Sequence, residues 1–397
     1  MLRSFVSNGP QPDAAFLPIN ALLTALLLSA GAAGSLPSAH AQTAHAQPEN
    51  AQTTRSQTTD VRSSPTADGI GPKLIEADPE AGFEYPYYLY APEQKRSSVP
   101  VLVEPNTTRL PSDKYDAHLK EAKREIKEAL GRHVSDKLGV PIVKPVFPRP
   151  VSDPADWTHS VQKLDRETMQ IEDGPLRRVD RQLLSMVEDA QRRLEKAGYS
   201  VEEGIMLNGF SSSGVFANRF AALHPEEVIS VTAGGVDGMP ILPYGKVATR
   251  HPVVEGDTYS LGYPVGTVGV DSLTGTAFDR DAFREVRQYL YMGGSDENDA
   301  LLYPDAYTGT DIRLAALLAY GADVHEDRFP RAKAAYEEIG AEAVFRIYEG
   351  ARHTPSPAID DVVEFHRRAL SGTPIDSVRE ALGGNVPEPS RGAELLP

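Results

Sequence analysis

The segment that most constrains this chain is 207–217, with the sequence LNGFSSSGVFA. An apolar run leads into it, small residues dominate its centre, and an apolar helical pattern begins directly afterwards. This order predicts a buried strand, a sharp turn and a helix that starts at the turn. A serine on such a strand-to-helix turn has its hydroxyl exposed above the sheet, where it can react. The chain is therefore expected to build alternating strands and helices around a serine-bearing turn.

Steric limits select one serine of this turn. The strand and helix backbones pass close together there, so the residues two places before and after the reactive serine must be small. Ser211 satisfies this limit because Gly209 and Ser213 flank it, although Ser213 stands where a second glycine is usual. A shift of the register by one or two places brings Phe210 or a valine into a flanking position. Ser211 is therefore the predicted nucleophile.

Residues 1–46 have the pattern of a signal peptide with its cleavage region. An apolar run over 19–33 follows Arg3, and small-x-small cleavage sites end at Ala41 and Ala46. A membrane anchor is the alternative, but this run of 15 residues is short for a helix that spans a bilayer. The mature chain is expected to be periplasmic or secreted, with no membrane span after cleavage.

Three further regions are predicted in the chain of 397 residues. Residues 47–72 are rich in Gln, Thr, Ser and Ala and lack apolar periodicity, which is typical of a disordered linker. Residues 73–383 contain the strand and helix patterns of one large α/β domain. Residues 384–397 are predicted to be a disordered tail.

Charge and cysteine content exclude several classes of partner. The formal net charge is −16, which disfavours binding to nucleic acid or to anionic lipid. The chain has no cysteine, so it has neither disulfides nor a lipid anchor attached through cysteine. No pair of histidines has the spacing of metal ligands, and the sequence predicts neither a metal nor another cofactor. It carries no signal for an oligomeric state.

The alternation of short apolar strands with amphipathic helices predicts a doubly wound, mostly parallel sheet. An edge strand is expected over 83–90, because Pro86 is tolerated only at a sheet edge. A helix is expected over 114–132. Residues 235–285 are rich in Gly, Pro and Tyr, and we interpret them as a lid or substrate loop inserted into the domain.

A serine nucleophile needs a base and an acid that orients the base, in the chain order Ser, acid, His for this type of turn. Asp296 follows a predicted strand and a Gly-Gly pair, at the strand end where sites form in open α/β sheets. Asp299 in the same loop is the alternative acid. A calcium loop beginning at Asp296 is excluded, since apolar residues stand at ligand positions.

Histidine candidates for the base are few downstream of Ser211. His353 lies in a short loop between the last predicted strand and the last predicted helix, which is the expected position. His366 falls in the middle of that helix and is expected on the surface. His325 lies in an acidic run and is expected at a solvated helix start. We therefore predict His353 as the base.

An oxyanion that develops on the substrate needs two backbone N–H donors. One is expected from Ser212, directly after the nucleophile. The other is expected from the loop 105–108, in which Asn106 and Thr107 are the candidates. An ordinary turn role for Asn106 is the alternative.

Four aromatic or imidazole side chains are candidates for the substrate pocket. Trp157, the only tryptophan, and His159 lie in an irregular segment after a strand, and Tyr303 lies beyond the acid loop together with Tyr307. Packing roles for these residues are the alternative.

From the strand before Ser211 to His353, the chain resembles secreted α/β-hydrolases of the polyhydroxybutyrate-depolymerase and feruloyl-esterase type. The serine turn at 209–214, the acid loop at 293–296 and the histidine turn at 350–353 carry the resemblance. It implies an α/β-hydrolase fold and hydrolysis of an acyl ester, in which Ser211 attacks, His353 moves the proton and Asp296 orients the histidine. Two departures from the pattern are Ser213 in the turn and the lack of a bracing cysteine pair.

The leading hypothesis is a serine hydrolase of small-molecule or polymer carboxylic esters. A serine peptidase of the prolyl-oligopeptidase type has the same fold and triad, but no propeller precedes this catalytic region. A catalytically silent binding protein on a hydrolase scaffold is the third hypothesis. The presence of Ser211, Asp296 and His353 counts against it.

Overall fold

The computed structural model describes residues 68–93, 96–107, 111–152, 160–249, 254, 256–302, 309–389 and 394–397. All of these residues belong to one compact unit that spans Arg62–Pro397. The predicted signal peptide at 1–46 and most of the predicted linker at 47–72 lie outside the described residues. The first strand begins at Ile70, so the end of the predicted linker belongs to the domain.

An eight-stranded sheet with the order β1-β2-β4-β3-β5-β6-β9-β10 forms the centre of this unit. Strand β2 is antiparallel to both of its neighbours, and all other adjacent pairs are parallel. The strands are β1 Ile70–Ile75, β2 Tyr87–Ala91, β3 Val99–Val103, β4 Ile142–Pro145, β5 Val201–Phe210, β6 Val228–Gly234, β9 Arg287–Gly293 and β10 Ala343–Tyr348. Helices flank this mixed, mostly parallel sheet, which confirms the predicted doubly wound α/β architecture.

The central strands are apolar without alternation because helices cover the sheet. All five residues of β3 are buried, as are the last six of the seven residues of β9. The helix Ser212–Leu223 is buried along its whole length and packs against β5 and β6. The helix Ile359–Leu370 packs against β6 and β9 and also contacts the helix Leu130–Leu138. The sheet therefore holds the start of the serine-bearing helix in a fixed place.

The helices of the described chain share amphipathic or wholly apolar patterns and connect successive strands. They span Tyr115–Glu128, Leu130–Leu138, Ser160–Lys163, Arg166–Met169, Val179–Lys196, Ser212–Leu223, Val270–Thr274, Arg280–Glu285, Thr310–Tyr320, Phe329–Glu338, Ile359–Leu370 and Ile375–Leu382. A π-helical turn covers Val324–Arg328. No helix in the described part of the chain is long and apolar enough to cross a membrane.

The predicted irregular insertion at 235–285 contains local structure of its own. Strands β7 Lys246–Ala248 and β8 Thr258–Ser260 pair with each other, and β11 Leu395–Leu396 pairs with β7 to complete a three-stranded antiparallel sheet. The prediction of a disordered tail over 384–397 is therefore wrong at the end of the chain. Two apolar residues there complete the sheet, and Leu395 pairs with Val247, which lies 148 positions earlier in the chain. A local sequence pattern therefore cannot predict this pairing.

The edge strand predicted over 83–90 is also wrong in its position. Strand β2 begins at Tyr87, after Pro86, and lies between β1 and β4. Pro86 precedes the strand and uses only its carbonyl, which accepts the N–H of Val146. The edge position belongs to β1, whose Gly- and Pro-containing sequence gave no strand signal.

The helix predicted over 114–132 is two helices. The first ends at Glu128 and the second begins at Leu130, because Ala129 between them is extended, with φ −75° and ψ 169°. The chain changes direction at this residue. The second helix can then pack against β3 and β4.

A buried ion cluster joins the start of the helix Val179–Lys196 to the end of the serine-bearing helix. The Asp180 carboxylate is fully buried and accepts hydrogen bonds from Arg178 Nη2 at 2.6 Å and His224 Nε2 at 2.9 Å. Burial alone would raise the pKa of Asp180, but the hydrogen bonds from His224 and Arg178 hold it well below its usual range. The carboxylate is therefore ionised at neutral pH and ties the two helices together.

Asp180→Ala is expected to lower the free energy of unfolding by about 3–5 kcal/mol, because it leaves two donors without their buried charge partner. Urea unfolding at pH 7.5 measures this change. Asp376→Ala is the matched control, since that carboxylate is 88% exposed and pairs only with Arg379 on the same helix. Equal effects of the two substitutions would contradict the assignment of Asp180 as a structural tether.

Candidate active site

Ser211 lies on a strained turn between β5 and the helix Ser212–Leu223. Its φ of 59° and ψ of −129° place a non-glycine residue in a region that costs about 1–3 kcal/mol and that proteins retain at functional positions. The Ser211 N–H donates to Gly234 O at 2.8 Å, which ties the turn to the end of β6. This is the geometry predicted for a serine nucleophile turn.

Two glycines make this turn possible. A Cβ on Gly209 would overlap the backbone of Ser213, and a Cβ on Gly214 would lie 2.6 Å from Gly234 O. Ser213 is accommodated because its hydroxyl accepts the N–H of Phe210 at 3.0 Å and donates to the carbonyl of Phe210 at 2.9 Å. The departure from a second glycine at this position is therefore compatible with the turn.

Asp296 and His353 lie together at the carboxyl ends of β9 and β10. His353 Nδ1 donates to Asp296 Oδ2 at 2.7 Å, and the Asp296 side chain is 4% exposed. This bond fixes the imidazole ring and leaves Nε2 for proton transfer. The two residues predicted as acid and base are thus brought into contact.

The imidazole of His353 packs against the serine turn. Its ring centroid lies 4.8 Å from that of Phe210, the residue directly before Ser211. A Cβ on Gly235 would lie 3.0 Å from His353 Cε1, while the preceding Gly234 accepts the Ser211 N–H. His353 and the Ser211 backbone therefore meet at adjacent residues, Gly234 at the end of β6 and Gly235 directly after it.

The alternative acid, Asp299, has another partner. Its carboxylate accepts Arg328 Nη1 at 2.6 Å and Nη2 at 3.2 Å, and it also accepts the N–H of Leu301. Arg328 is almost fully buried, so Asp299 neutralises a structural cation. Of the two candidates, Asp296 is the one that contacts His353.

The other two candidate histidines have structural contacts. The expectation that His366 lies on the surface is wrong, because its side chain is fully buried between Ser230 Oγ, 2.9 Å from Nδ1, and Thr232 Oγ1, 3.2 Å from Nε2. His325 is half-buried rather than solvated, and its Nε2 donates to Gly293 O at 3.0 Å. It braces the start of the acid loop.

The residues predicted to form the oxyanion site lie beside the serine turn. Their backbone N–H groups and side chains have different partners. Ser212 begins the helix, so its N–H has no partner within the helix. Asn106 is buried, and its side chain binds both the N–H and the carbonyl of Phe147. The N–H of Thr107 donates to Glu125 Oε2 at 3.3 Å, a bond that competes with the predicted oxyanion role.

Sequence reasoning missed a buried charge cluster beneath this loop. Lys144 Nζ lies 2.8 Å from Glu104 Oε1 and 3.1 Å from Glu125 Oε2. Glu104 Oε2 also accepts the N–H of Gly131 at 2.5 Å and the side-chain amide of Asn208. Burial would lower the pKa of Lys144, but Glu104 and Glu125 raise it above its usual value. The charged lysine inside an apolar strand is the signal that could have revealed the cluster.

A second missed group surrounds the acid loop. Asp237 is buried after β6, and its carboxylate lies 4.0 Å from the buried Lys163 Nζ. Asn298 donates its side-chain amide to Asp237 at 2.6 Å and its N–H to Asp296 at 2.9 Å. Burial raises the pKa of Asp237, while Lys163 and His353 act in the opposite direction. Asn298 thereby links Asp237 to Asp296, the carboxylate that contacts His353.

The predicted pocket residues Trp157, His159 and Tyr303 lie outside the described residues, as does Tyr307. Among the residues that are described, no group of three or more His, Asp or Glu side chains could hold a metal ion.

Solved structures similar to this chain are α/β-hydrolase esterases and related hydrolases at low sequence identity. A poly(3-hydroxybutyrate) depolymerase from Bordetella parapertussis is 17% identical, with a TM-score of 0.44, over 79% of this chain and 94% of that chain. Poly(aspartic acid) hydrolase-1 from Sphingomonas sp. KT-1 is 14% identical, with a TM-score of 0.43, over 75% and 98%. A ferulic acid esterase is 12% identical, with a TM-score of 0.37, over 80% and 97%. No protein-family model and no curated protein sequence matches the chain.

Burial lowers the pKa of His366 from 6.5 to about 3, which makes stability depend on pH. Below pH 6.5 the unfolded chain binds a proton that the folded chain does not. Stability therefore falls by about 1.4 kcal/mol per pH unit from this residue as the pH decreases toward the folded pKa. His366→Gln removes this dependence, so its free energy of unfolding is expected to fall less steeply between pH 6 and pH 4.5. Urea titrations of both proteins across this range test it, and parallel pH profiles would contradict the prediction.

Proposed function

We propose that this chain is a serine hydrolase that cleaves carboxylic esters through Ser211, His353 and Asp296. The observation that carries the proposal is the packing of the Asp296–His353 pair against Phe210, the residue before the strained Ser211. A strained serine, a histidine with one nitrogen held by a buried carboxylate and a free helix N–H beside the serine together fit nucleophilic acyl transfer.

In the proposed reaction, Ser211 Oγ attacks the ester carbonyl while His353 Nε2 takes the hydroxyl proton. The carbonyl oxygen becomes an oxyanion, which the Ser212 N–H stabilises at the start of the helix. Collapse of this intermediate expels the alcohol, which receives the proton from His353, and leaves an acyl-serine. Water then attacks the acyl group with His353 again as base, which releases the acid and restores Ser211.

Asp296 acts in this scheme by orienting the imidazole and stabilising its protonated form. The substrate class is an ester of a small molecule or a polymer, and no cofactor takes part. We further propose, from the N-terminal sequence pattern, that the enzyme works in the periplasm or outside the cell.

A fluorophosphonate probe is expected to label the full chain once, at Ser211, with peptide mapping to locate the adduct. Ser211→Ala should abolish labelling and lower ester hydrolysis by at least about 10⁴-fold. Ser371→Ala, which removes an exposed serine hydroxyl far along the chain, is the control and should label like the wild type. An adduct on Ser212 or Ser213 would show that the assignment of the nucleophile is wrong, and folded protein that resists the probe would contradict the proposed function.

Asp296→Asn is expected to lower kcat by about 10³–10⁴-fold, because an amide no longer favours the tautomer and the protonated form that the base requires. Glu297→Gln is the matched control, since it removes a neighbouring, exposed carboxylate of the same loop, and kcat should stay within about threefold of wild type. Asp299→Asn should lower the melting temperature through Arg328 and affect kcat far less than Asp296→Asn. A larger loss of kcat in Asp299→Asn than in Asp296→Asn would reverse the choice of acid.

A further inference from the structure

The loop after β3 brings the side-chain hydroxyl of Thr107 close to the serine turn. The Thr107 N–H points to Glu125 Oε2 at 3.3 Å, away from the role of an oxyanion donor. The Asn106 side chain is occupied on both sides by the backbone of Phe147, at 2.9 and 3.0 Å. In the described part of this loop, the Thr107 hydroxyl lies 3.5 Å from the hydroxyl of Ser212, the residue after the nucleophile.

The acceptor of the Thr107 N–H is held in place by buried charges. Glu125 binds Lys144 at 3.1 Å, Lys144 binds Glu104 at 2.8 Å, and the side chains of all three are at most 10% exposed. Glu104 in turn accepts the amide of Asn208, which lies on β5 three positions before the nucleophile. The same cluster therefore fixes the Thr107 backbone and the strand that carries the serine.

The Thr107 hydroxyl lies directly beside the start of the serine-bearing helix. Ser212 Oγ donates to Thr107 Oγ1 at a distance of 3.5 Å. Because Thr107 accepts from Ser212, its own hydroxyl hydrogen can be directed to a third atom. Ser212 is fully buried and Thr107 is half-buried, so the hydrogen available to a bound molecule is that of Thr107.

We propose that the Thr107 hydroxyl is the second oxyanion donor, acting together with the Ser212 N–H. This inference rests on the proposed ester hydrolysis at Ser211 and adds a catalytic residue to it. The Ser212 hydroxyl is a positioning group that orients Thr107. The charged cluster of Glu125, Lys144 and Glu104 holds the loop so that the threonine presents its hydroxyl instead of its N–H.

Thr107→Val and Thr107→Ser separate the hydroxyl from the shape of the side chain. In the full chain, with p-nitrophenyl butyrate as substrate, Thr107→Val should lower kcat by about 10²–10³-fold with KM within about threefold of wild type. Thr107→Ser keeps the donor and should hold kcat within about fivefold. Phenylboronic acid, which forms a tetrahedral anion on a reactive serine, should bind Thr107→Val more weakly by a factor that parallels the loss of kcat. Valine and threonine have the same shape, so the melting temperatures of the variants should match that of wild type.

The outcomes separate this inference from the function on which it rests. If the wild type hydrolyses the ester and Thr107→Val has the same kcat, the proposed role of Thr107 is wrong. The proposal that the chain is a serine hydrolase is then unaffected. Equal losses in the valine and serine variants would show that keeping the hydroxyl does not preserve activity, and would also overturn the proposed role of Thr107. A folded wild type that neither hydrolyses the ester nor reacts with fluorophosphonate would overturn both proposals.

Discussion

The close approach of β5 to the helix behind it is the constraint on which the candidate site depends. Gly209 and Gly214 carry no side chains, and only this lets the chain pass from strand to helix through the unfavourable backbone angles of Ser211. The cost of that conformation is small beside the burial of the whole helix Ser212–Leu223 against the sheet. A larger residue at either glycine would force strand and helix apart and would move the Ser212 N–H together with the serine.

Buried charges organise the two loops that flank this turn. Lys144 joins Glu104 to Glu125 on the side of β3 and β4, and Lys163 lies beside Asp237 on the side of β6. Buried ion pairs contribute little net stability compared with apolar residues of the same size. We therefore infer that the main effect of both clusters is to fix the positions of the two loops that flank the serine turn. This interpretation agrees with the bond from the Thr107 N–H to Glu125 in the first cluster and with the bond from the Asn298 side chain to Asp237 in the second.

The sequence predicted those parts of the fold and the site that rest on local pattern. The small-residue turn identified Ser211, and the rule that strand ends form sites identified the loop of Asp296. The buried state of His366 could not be predicted, because its partners Ser230 and Thr232 lie 136 and 134 positions earlier in the chain. The strand β11 was missed for the same reason. Such features depend on contacts between segments that are distant in the chain. The periodicity of a single segment does not predict those contacts.

The surroundings of His353 fix the orientation of the imidazole on which the proposed mechanism depends. Asp296 accepts its Nδ1–H, and the ring of Phe210 packs against the imidazole. Asp237 lies beside the buried Lys163, and Asp299 pairs with Arg328, so Asp296 is the carboxylate that contacts the imidazole. Asn298 donates to Asp296 through its backbone and to Asp237 through its side chain, so the segment after β6 also fixes the position of the acid loop.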